Sequence, residues 1–561
     1  SDYEFSAWVY AGKDGAARLY ISASDGNERH TKATATVSRW PGGKAGEWVR
    51  LTGTLRGEEW RETDCDVMLA LVSTGESWFD DVILRKTKLP QPPIDTYPAL
   101  SRALRSEADR AAIMLAPGAN VTLTAAHGVF ATGFTSTDVE QPQEATVSLP
   151  PDGILMFAVD APHAMYVTGT LRMVPDSDLR PGLRACVLCD DTVIATPMVR
   201  YAEGWEGVGN ALTGPAPDCT GTRPADRTDL STWLMRAGRH YIFVAAPHFR
   251  PGGRFEELHL RALDRPVQEP LYEFALLADT HLAPGRSLWM NYKLGGAAEV
   301  ELAVTLASLR AEGVRFALIA GDMTDGGTRP QFEALGQICR ASGLPVYGCI
   351  GNHDAYHASS RSDALELCAD MFPSGATDYV LDQPPLRFII LDGSYWKNRE
   401  GVFADYYAPE TSGGGIGARP EQVEWLRRTL AADKNTPTVF VWHYPLYSRG
   451  GLSSCGYKLP VLGPSEVREA LAAAPNVVAV LCGHTHWNEV NLDQGITHIV
   501  NPAYCEWPNA YRLFRVYHDR VEWELRQVQN RGFVRESFAA EKALSWMIST
   551  GEGDLGGEIG L

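Results

Sequence analysis

The sequence predicts an α/β domain in the second half of the chain, preceded by all-β sandwich domains. Up to about residue 268, apolar and polar residues alternate between frequent turns, which is the two-residue period of half-buried strands. After Arg265-Pro266, short apolar strands alternate with helical stretches, a pattern typical of layered α/β folds. Polar motifs follow the carboxyl ends of several of these strands, so we expect the α/β domain to carry the chemistry.

Residues 1–88 are predicted to form a partial jelly-roll β-sandwich. Strand-like alternation covers residues 5–10, 18–22 and 67–72, and fewer strands fit here than a full jelly roll needs. The closing motif Trp78-Phe79-Asp80-Asp81 resembles the last strand of carbohydrate-binding modules, which implies a polysaccharide partner. A purely structural sandwich is the alternative. Because Ser1 is not an initiator methionine, we expect the rest of such a module upstream of it.

A Pro-rich linker over residues 89–97 leads into a second predicted β-sandwich-like domain, residues 98–268, whose role no motif indicates. Strands are expected at residues 121–124, 154–159 and 241–245. The histidines of this domain are scattered singly, and isolated histidines are more often surface or core residues than ligands. They are His127, His163, His240, His248 and His259.

The predicted α/β domain covers residues 269–535, and a tail covers residues 536–561. Strands are predicted at residues 274–278, 315–320, 345–350, 388–391, 438–442 and 477–482, with antiparallel strands at 510–517 and 521–527. Helices are predicted at residues 297–312, 331–341 and 420–432. The amphipathic face of the first helix is read from Val300, Val304, Ala307 and Leu309. From residue 549 the tail is rich in Gly, Glu and Asp, so we expect it to be loosely held.

Length and charge exclude some classes of protein. A chain of 561 residues is too long for a single core. Its 51 basic and 69 acidic residues give a net charge of −18, which argues against a broad nucleic-acid surface and makes a nuclease a less favoured interpretation. No apolar run reaches the roughly 20 residues that a membrane span needs. Cys349 and Cys482 lie in apolar strands and are expected to be buried, and Cys186-x-x-Cys189 has no second pair at zinc-site spacing.

Five motifs at strand ends indicate a metal centre. Carboxyl ends of strands meet at one edge of an α/β sheet, so the polar residues of these motifs are expected to lie together. Carboxylates, imidazoles and one amide suit borderline divalent metals such as Mn, Fe or Zn. The motifs are Asp279-x-His281, Gly321-Asp322, Gly351-Asn352-His353-Asp354, His443 and Gly483-His484-Thr485-His486.

A pair of metal ions at this edge predicts phosphate-ester hydrolysis. Asp322 can bridge two ions roughly 3.5–4 Å apart, and such a pair generates hydroxide near neutral pH. Two divalent ions, Asp279, Asp322 and a hydroxide together leave about one positive charge, which suits an anionic phosphate. Any one of these motifs could occur by chance, but the presence of all five in order at strand ends consistently indicates a two-metal centre.

Residues from about 272 to 530 resemble the calcineurin-like metallophosphoesterase superfamily on these motifs. The resemblance implies two stacked sheets flanked by helices, a four-layer α/β/β/α domain, and two divalent metal ions. It implies that His353, held by Asp354, acts as a general acid or stabilising cation at the leaving group. One metal would take Asp279, His281, Asp322 and His486, and the other Asp322, Asn352, His443 and His484. No tyrosine follows Gly321-Asp322 closely, which argues against a purple acid phosphatase.

The finer resemblance is to bacterial cyclic-nucleotide and glycerophosphodiester phosphodiesterases, so the predicted function is phosphodiester hydrolysis of a small-molecule substrate. A phosphomonoesterase, or a glycan-binding surface protein with an appended phosphatase, is the alternative. Tyr447, Arg449 and Trp487 follow metal-ligand motifs and are candidate substrate contacts, with loop packing as the other interpretation. Localisation stays open, with the sugar-module resemblance favouring the cell exterior.

Overall fold

In the computed structural model the chain divides into two compact units, Ser1–Pro93 and Ile94–Leu561. None of the helices among the described residues has the length and apolar character of a membrane span. The structure describes residues 2–11, 16–24, 31–39, 48–55, 66–74, 77–88, 96–132, 139–175, 182–201, 222–224, 227–247, 251–283, 293–408, 410, 413–446, 461–462, 464–540 and 555–561.

The first unit contains two three-stranded antiparallel sheets. One has Asp2–Ala11 at its centre and the other Ala16–Ser24. This strand content confirms the all-β prediction for the region, while the jelly-roll resemblance stays a prediction. The flanking strands are Trp48–Leu55 and Ser77–Lys88 in the first sheet, and Thr31–Arg39 and Asp66–Thr74 in the second.

The second unit opens with the helix Thr96–Ala108 and continues as β-structure to residue 262. A five-stranded sheet packs against strands of a much larger sheet, and the shared core includes Leu123, Phe157, Val187 and Leu258. The five strands are Asn120–Leu123, Val147–Leu149, Met165–Val174, Arg227–Met235 and Gly253–Ala262. A small sheet is formed by Gly182–Leu183, Met198–Tyr201 and Thr222–Pro224.

The larger sheet has 13 strands and runs without interruption from this β region into the α/β domain. Thr192 pairs with Arg526 at the junction, so the predicted boundary at residue 268 crosses a continuous sheet. Its strands in the β region are Ile113–Met114, Val129–Ala131, Val139–Glu140, Ile154–Ala161, Cys186–Cys189, Thr192–Ala195 and Gly238–Ala245. Those in the α/β domain are Tyr272–Leu277, Phe316–Ala320, Val346–Cys349, Ala510–Val516, Arg520–Gln527 and Gly556–Gly560.

Buried charges reinforce this junction. The Tyr166 hydroxyl donates to the Glu522 carboxylate at 2.8 Å, and Arg265 lies 2.7 Å from the same carboxylate. Two residues further along the same strand, Glu524 forms ion pairs with Arg515 and Arg526. Burial alone would raise the pKa of Glu524, but the two arginines outweigh it and lower the pKa to about 2. Because an unpaired buried charge is costly, the contacts of Glu522 with Tyr166 and Arg265 stabilise the β region on the α/β domain, whereas the pairs of Glu524 lie within the α/β domain.

The α/β domain has the four layers that were predicted. The second sheet contains four parallel strands with antiparallel strands at its edges. Its strands are Tyr379–Gln383, Leu386–Ile390, Thr438–Val441, Val477–Cys482, Glu489–Asp493 and Ile496–Val500. The helices Gly295–Ala311, Arg329–Ser342 and Ser360–Leu367 cover the first sheet, and Pro420–Ala432 and Pro464–Ala472 cover the second. A further helix is Arg531–Ala540, and a four-stranded sheet contains Tyr395–Lys397, Phe403–Ala404, Gly415–Gly417 and Val461–Leu462.

Aromatic side chains join the two sheets. Phe274 stacks on Phe316 and Phe514, its cross-strand partners, with ring centroids 5.2 and 4.6 Å apart. Phe388 of the second sheet meets Phe274 edge-on at 5.3 Å. Offset and edge-to-face ring contacts add to the stability gained from burial alone. The strands that carry the candidate site residues at their carboxyl ends are therefore held together by a well-packed aromatic core.

Two predictions are corrected by the structure. On the helix Gly295–Ala311, Val300 and Val304 are 58% and 50% exposed, while Leu302 and Leu306 are buried. This helix carries apolar residues on several of its sides, so spacing alone did not define the buried face. The end of the tail is not loose, because Gly556–Gly560 pairs with Arg520–Gln527 along five residues. Cys349 and Cys482 are buried as predicted.

Candidate metal centre

The predicted site residues converge at the carboxyl ends of strands from both sheets. Most of them are buried, and each follows its strand within a few residues. Asp279 and His281 follow Tyr272–Leu277, Asp322 follows Phe316–Ala320, Asn352 follows Val346–Cys349, His443 follows Thr438–Val441, and His484 and His486 follow Val477–Cys482. The five motifs thus meet in space as the sequence indicated.

One group of potential ligands contains Asp279, His281 and His486, whose nearest ligand atoms all lie within 4.8 Å of one another. His281 Nε2 lies 3.3 Å from His486 Nε2, and His486 Nε2 lies 3.5 Å from Asp279 Oδ1. Ligand atoms about 2.0–2.2 Å from one ion are spaced about 3 Å apart or slightly more. The group therefore has the size of a divalent metal site.

A second group contains Asp322, His443 and His484, again within 4.8 Å. His443 Nε2 lies 3.2 Å from His484 Nδ1 and 3.2 Å from Asn352 Oδ1. The same oxygen of Asp322, Oδ2, lies 3.4 Å from His443 Nε2 and 3.6 Å from His281 Nε2 of the first group. Asp322 Oδ2 therefore faces both groups, as a bridging ligand must. The donor set fits two borderline divalent ions.

Backbone conformation is unusual at this centre. Five residues have positive φ although none is glycine, and such conformations cost about 1–3 kcal/mol each. Strain of this kind is retained where the surrounding structure imposes it, and it gathers at functional sites. The residues are Asp279 (φ 52°), His281 (42°), Asp322 (47°), His484 (71°) and His486 (61°).

Glycines give the ligands their space. A Cβ on Gly351 would lie 2.2 Å from Asp322 Oδ1, and one on Gly483 would lie 2.4 Å from Asp279 Oδ2. Gly321 combines a φ of 89° with a Cβ position 2.3 Å from His443 Nδ1. Gly351 and Gly483 are therefore required mainly because carboxylates pack against them.

Further polar groups orient the imidazoles. Glu506 Oε2 lies 3.0 Å from His486 Nδ1, and the Ala320 carbonyl lies 2.9 Å from His443 Nδ1. Asp325 Oδ1 lies 3.1 Å from His281 Nδ1 and also accepts from Lys293 Nζ at 3.1 Å. Each of these histidines makes its contact through its Nδ1 atom and leaves its Nε2 atom directed at the centre. Hydrogen-bond partners of metal-binding histidines typically orient the rings in this way.

Sequence reasoning missed Glu506, Asp325 and Lys293. Asp325 stands three residues after Asp322 and could have been found from that motif. Lys293 and Glu506 come from loops whose sequences carry no pattern, and only the fold brings them to the site.

The carboxylates of this centre favour the binding of positive charge at the histidines, either as protons or as metal ions. Burial alone would lower the pKa of His486, but Glu506 and Asp279 outweigh it and raise the pKa to about 10. Burial is likewise outweighed at His443, where Asp322 raises the pKa to about 9. Burial and neighbouring cations hold the pKa values of His281 and His484 well below normal. Metal ions must displace the protons of His486 and His443, so metal binding is linked to pH.

His353 and Asp354 are arranged differently from the prediction. The Asp354 carboxylate accepts hydrogen bonds from the backbone of Met323, Thr324 and Gly351, so it braces two ligand loops and does not hold the His353 ring. The two residues share a tight 3-10 turn, and adjacent side chains on such a turn point apart. His353 Nδ1 instead donates to the Asp325 carbonyl at 2.8 Å.

An open pocket of about 710 Å³ lies over the centre. Its described lining contains no lysine or arginine, and it includes three aromatic residues, Tyr356, Trp396 and Tyr407. Tyr447 and Arg449, predicted as substrate contacts, lie outside the described residues, and Trp487 is not among the described residues that line the pocket.

His240, one of the singly scattered histidines, has hydrogen-bond partners for both ring nitrogens. Cys189, Asp190 and His240 also lie close enough to hold an ion. However, His240 Nδ1 is 2.7 Å from Asp190 Oδ2, and His240 Nε2 is 2.7 Å from the Arg236 carbonyl. Both ring nitrogens are therefore hydrogen-bonded within the protein.

Comparisons with known proteins find a matching family model and several similar proteins. The family model described as calcineurin-like phosphoesterase matches residues 272–488. A probable cyclic nucleotide phosphodiesterase of Rhodococcus erythropolis is 26% identical over 257 residues, covering 44% of this chain and 75% of that protein. A probable glycerophosphodiester phosphodiesterase, GpdQ, of Arcobacter nitrofigilis is 22% identical over 179 residues, covering 31% of this chain and 59% of that protein. A solved dimetal phosphatase from Danio rerio has 18% identity and a TM-score of 0.39, covering 46% of this chain and 97% of that one.

Proposed function

Residues 272–488 form a calcineurin-like phosphoesterase domain, a hydrolase of phosphate esters with two divalent metal ions, and from this premise we propose that the chain is a phosphodiesterase. The observation that carries the proposal is Asp322 Oδ2, which faces both ligand groups at 3.4 and 3.6 Å. In this proposal Asp279, His281, Asp322 and His486 hold one ion, and Asp322, Asn352, His443 and His484 hold the other.

Two divalent ions bound there supply Lewis acidity toward the phosphoryl oxygens and hydroxide at neutral pH. The protein fixes the bridging carboxylate from the other side, because the His353 backbone N–H donates to Asp322 Oδ1 at 2.8 Å. The Asn352 amide nitrogen points to the Tyr356 hydroxyl at 3.4 Å, which leaves its oxygen directed at the second ligand group.

His353 is proposed to act at the leaving-group oxygen. A carbonyl oxygen can only accept, so the contact with Asp325 places a hydrogen on His353 Nδ1. Nε2 therefore carries a proton only when the ring is cationic, and in that form it can donate to the leaving group. Asp354 contributes by positioning the loops that hold Asp322 and Asn352, not by contacting the ring.

Charge favours a diester over a monoester. The ions, the two carboxylates and a hydroxide leave about one positive charge, which matches the single negative charge of a diester. No lysine or arginine lines the described part of the pocket to balance the second charge of a monoester. The relatives named as phosphodiesterases support the same choice.

Hydrolysis of a bis-aryl and a mono-aryl phosphate, with metal content measured on the same protein, tests the proposal. We expect faster diester hydrolysis and two ions per chain. Asp322→Ala and His484→Ala should abolish turnover, and His259→Ala, a histidine of the β region, serves as the control. Faster monoester hydrolysis would establish the phosphomonoesterase alternative, and full activity in Asp322→Ala would overturn the metal assignment.

A polysaccharide partner is a second proposal, supported by the separate all-β unit Ser1–Pro93. The motif Trp78-Phe79-Asp80-Asp81 lies in its strand Ser77–Lys88. Retention of the whole chain on a panel of immobilised polysaccharides, compared with the Trp78→Ala variant, tests this role. No retention of the whole chain on any polysaccharide would leave the unit with a structural role.

A further inference from the structure

Three aromatic residues form a continuous wall beside the metal centre. The Tyr356 ring centroid lies 4.8 Å from that of His353, 5.9 Å from that of Tyr407 and 6.3 Å from that of Trp396. Trp396 and Tyr407 lie 4.9 Å apart. All three line the same pocket as Asp322, Asn352 and His353. The wall therefore begins beside His353 and continues along the pocket, where a group attached to the phosphate of a substrate would lie.

The wall is built from an accessory sheet that is tied to the centre. Trp396 lies on the strand Tyr395–Lys397, which pairs with Phe403–Ala404 and Gly415–Gly417. Tyr407 follows this hairpin, and its backbone N–H donates to the Ala355 carbonyl at 3.1 Å. Ala355 belongs to the same 3-10 turn as His353. The accessory sheet thus holds Trp396 and Tyr407 at a fixed position relative to the predicted catalytic histidine.

The spacing of the rings indicates what they bind. Rings with centroids 4.9–6.3 Å apart are in contact with one another, so no cation fits between them as in an aromatic cage. The lining also contains no described arginine or lysine. A glycerol group has no flat face for such a wall, and a sugar would present C–H groups to it, whereas a heteroaromatic base presents a π face. A planar heteroaromatic ring matches the wall best.

We propose that Tyr356, Trp396 and Tyr407 contact the base of a nucleoside phosphodiester, one ring stacking on the base and the inclined rings meeting its edge, and thereby select nucleotide substrates. This inference rests on the proposed phosphodiesterase function and names the class of its substrate. A pocket of about 710 Å³ is large enough for a nucleotide. Loss of one stacking ring commonly weakens binding of a base by about 10-fold or more.

The test uses two diesters with the same leaving group, thymidine 5′-(p-nitrophenyl phosphate) and methyl p-nitrophenyl phosphate. We measure kcat/KM for each with the metal-reconstituted full chain and take the ratio of the nucleoside ester to the methyl ester. We expect Trp396→Ala and Tyr407→Ala each to lower this ratio by about 10-fold. Trp396→Phe and Tyr407→Phe, which keep a flat ring, should restore most of it.

Tyr406→Ala is the matched control. Tyr406 and Tyr407 are adjacent and similarly exposed, at 37% and 44%, but only Tyr407 is among the described lining residues. The control should keep the ratio of the unaltered protein, and all variants should keep its metal content. A ratio within about twofold of the unaltered protein in both alanine variants would overturn base stacking. Absence of metal-dependent hydrolysis of either ester by the unaltered protein would instead overturn the phosphodiesterase proposal.

Discussion

Replacing Glu506 with Gln should weaken one of the two metal sites and leave the other intact. Glu506 is 1% exposed and contacts His486 Nδ1 at 3.0 Å, so it sets the orientation and basicity of that ring. Loss of such an outer partner typically lowers metal affinity about 10- to 100-fold, or about 1.4–2.8 kcal/mol. Gln retains the shape of the side chain and removes its charge, so the change isolates the electrostatic effect.

The size of this effect should depend on pH. Without metal, Glu506 helps to raise the pKa of His486 to about 10, so protons compete with the ion at neutral pH. In the variant, His486 binds both the metal ion and the competing proton more weakly. At low pH the weaker proton competition therefore partly offsets the weaker metal binding. As pH rises, competition by protons fades in the native protein, so the difference in metal affinity between native protein and variant should widen.

Titration of metal-free protein with Mn²⁺ or Zn²⁺ at pH 6.5, 7.5 and 8.5 measures both effects. Glu424→Gln, which changes an exposed glutamate on the helix Pro420–Ala432, is the control and should match the native protein. A variant that binds both ions as tightly as the native protein at every pH would refute the role of Glu506. A deficit that shrinks with increasing pH would refute the proton-competition argument.

The remaining predictions concern the same centre. Removal of metal by a chelator should abolish hydrolysis, and Mn²⁺, Zn²⁺ or Fe²⁺ should restore it; activity that survives with no bound metal would contradict the mechanism. Gly351→Ala should lose metal and activity, because its Cβ would lie 2.2 Å from Asp322 Oδ1, whereas Gly560→Ala, which has open space, should lose neither. His353→Gln should lower kcat by about 10²- to 10⁴-fold at near-normal metal content, and an unchanged kcat would remove His353 from the reaction.

The chemistry was predictable because its residues occupy short motifs directly after strands. Asp322, for example, needs only its own strand and the glycine before it to be placed at the sheet edge. Glu506 and Lys293 were not predictable in this way, since neither belongs to a motif: Lys293 follows His281 by 12 residues and Glu506 follows His486 by 20 residues. Spatial pairing of this kind leaves no periodic pattern in a single sequence.

Features set by tertiary packing were the least predictable. Val300 and Val304 have helical spacing, but the helix is apolar on several sides, and packing selected the face of Leu302 instead. Trp487 was a candidate substrate contact but is not among the described residues that line the pocket, whereas Trp396 and Tyr407 reach the pocket through an accessory sheet. Likewise, the pairing of Thr192 with Arg526 joins the β region and the α/β domain in one sheet, although the two residues are more than 300 positions apart in the sequence.

That continuity limits how the phosphoesterase can be isolated or exchanged between proteins. Starting the chain at residue 269 would remove Thr192, the strand partner of Arg526, and would take away the contacts of Glu522 with Tyr166 and Arg265. Open strand edges invite pairing with other molecules, and uncompensated charges disfavour the native packing. Shortened forms are therefore expected to self-associate, and expression of the enzyme should begin before the helix Thr96–Ala108.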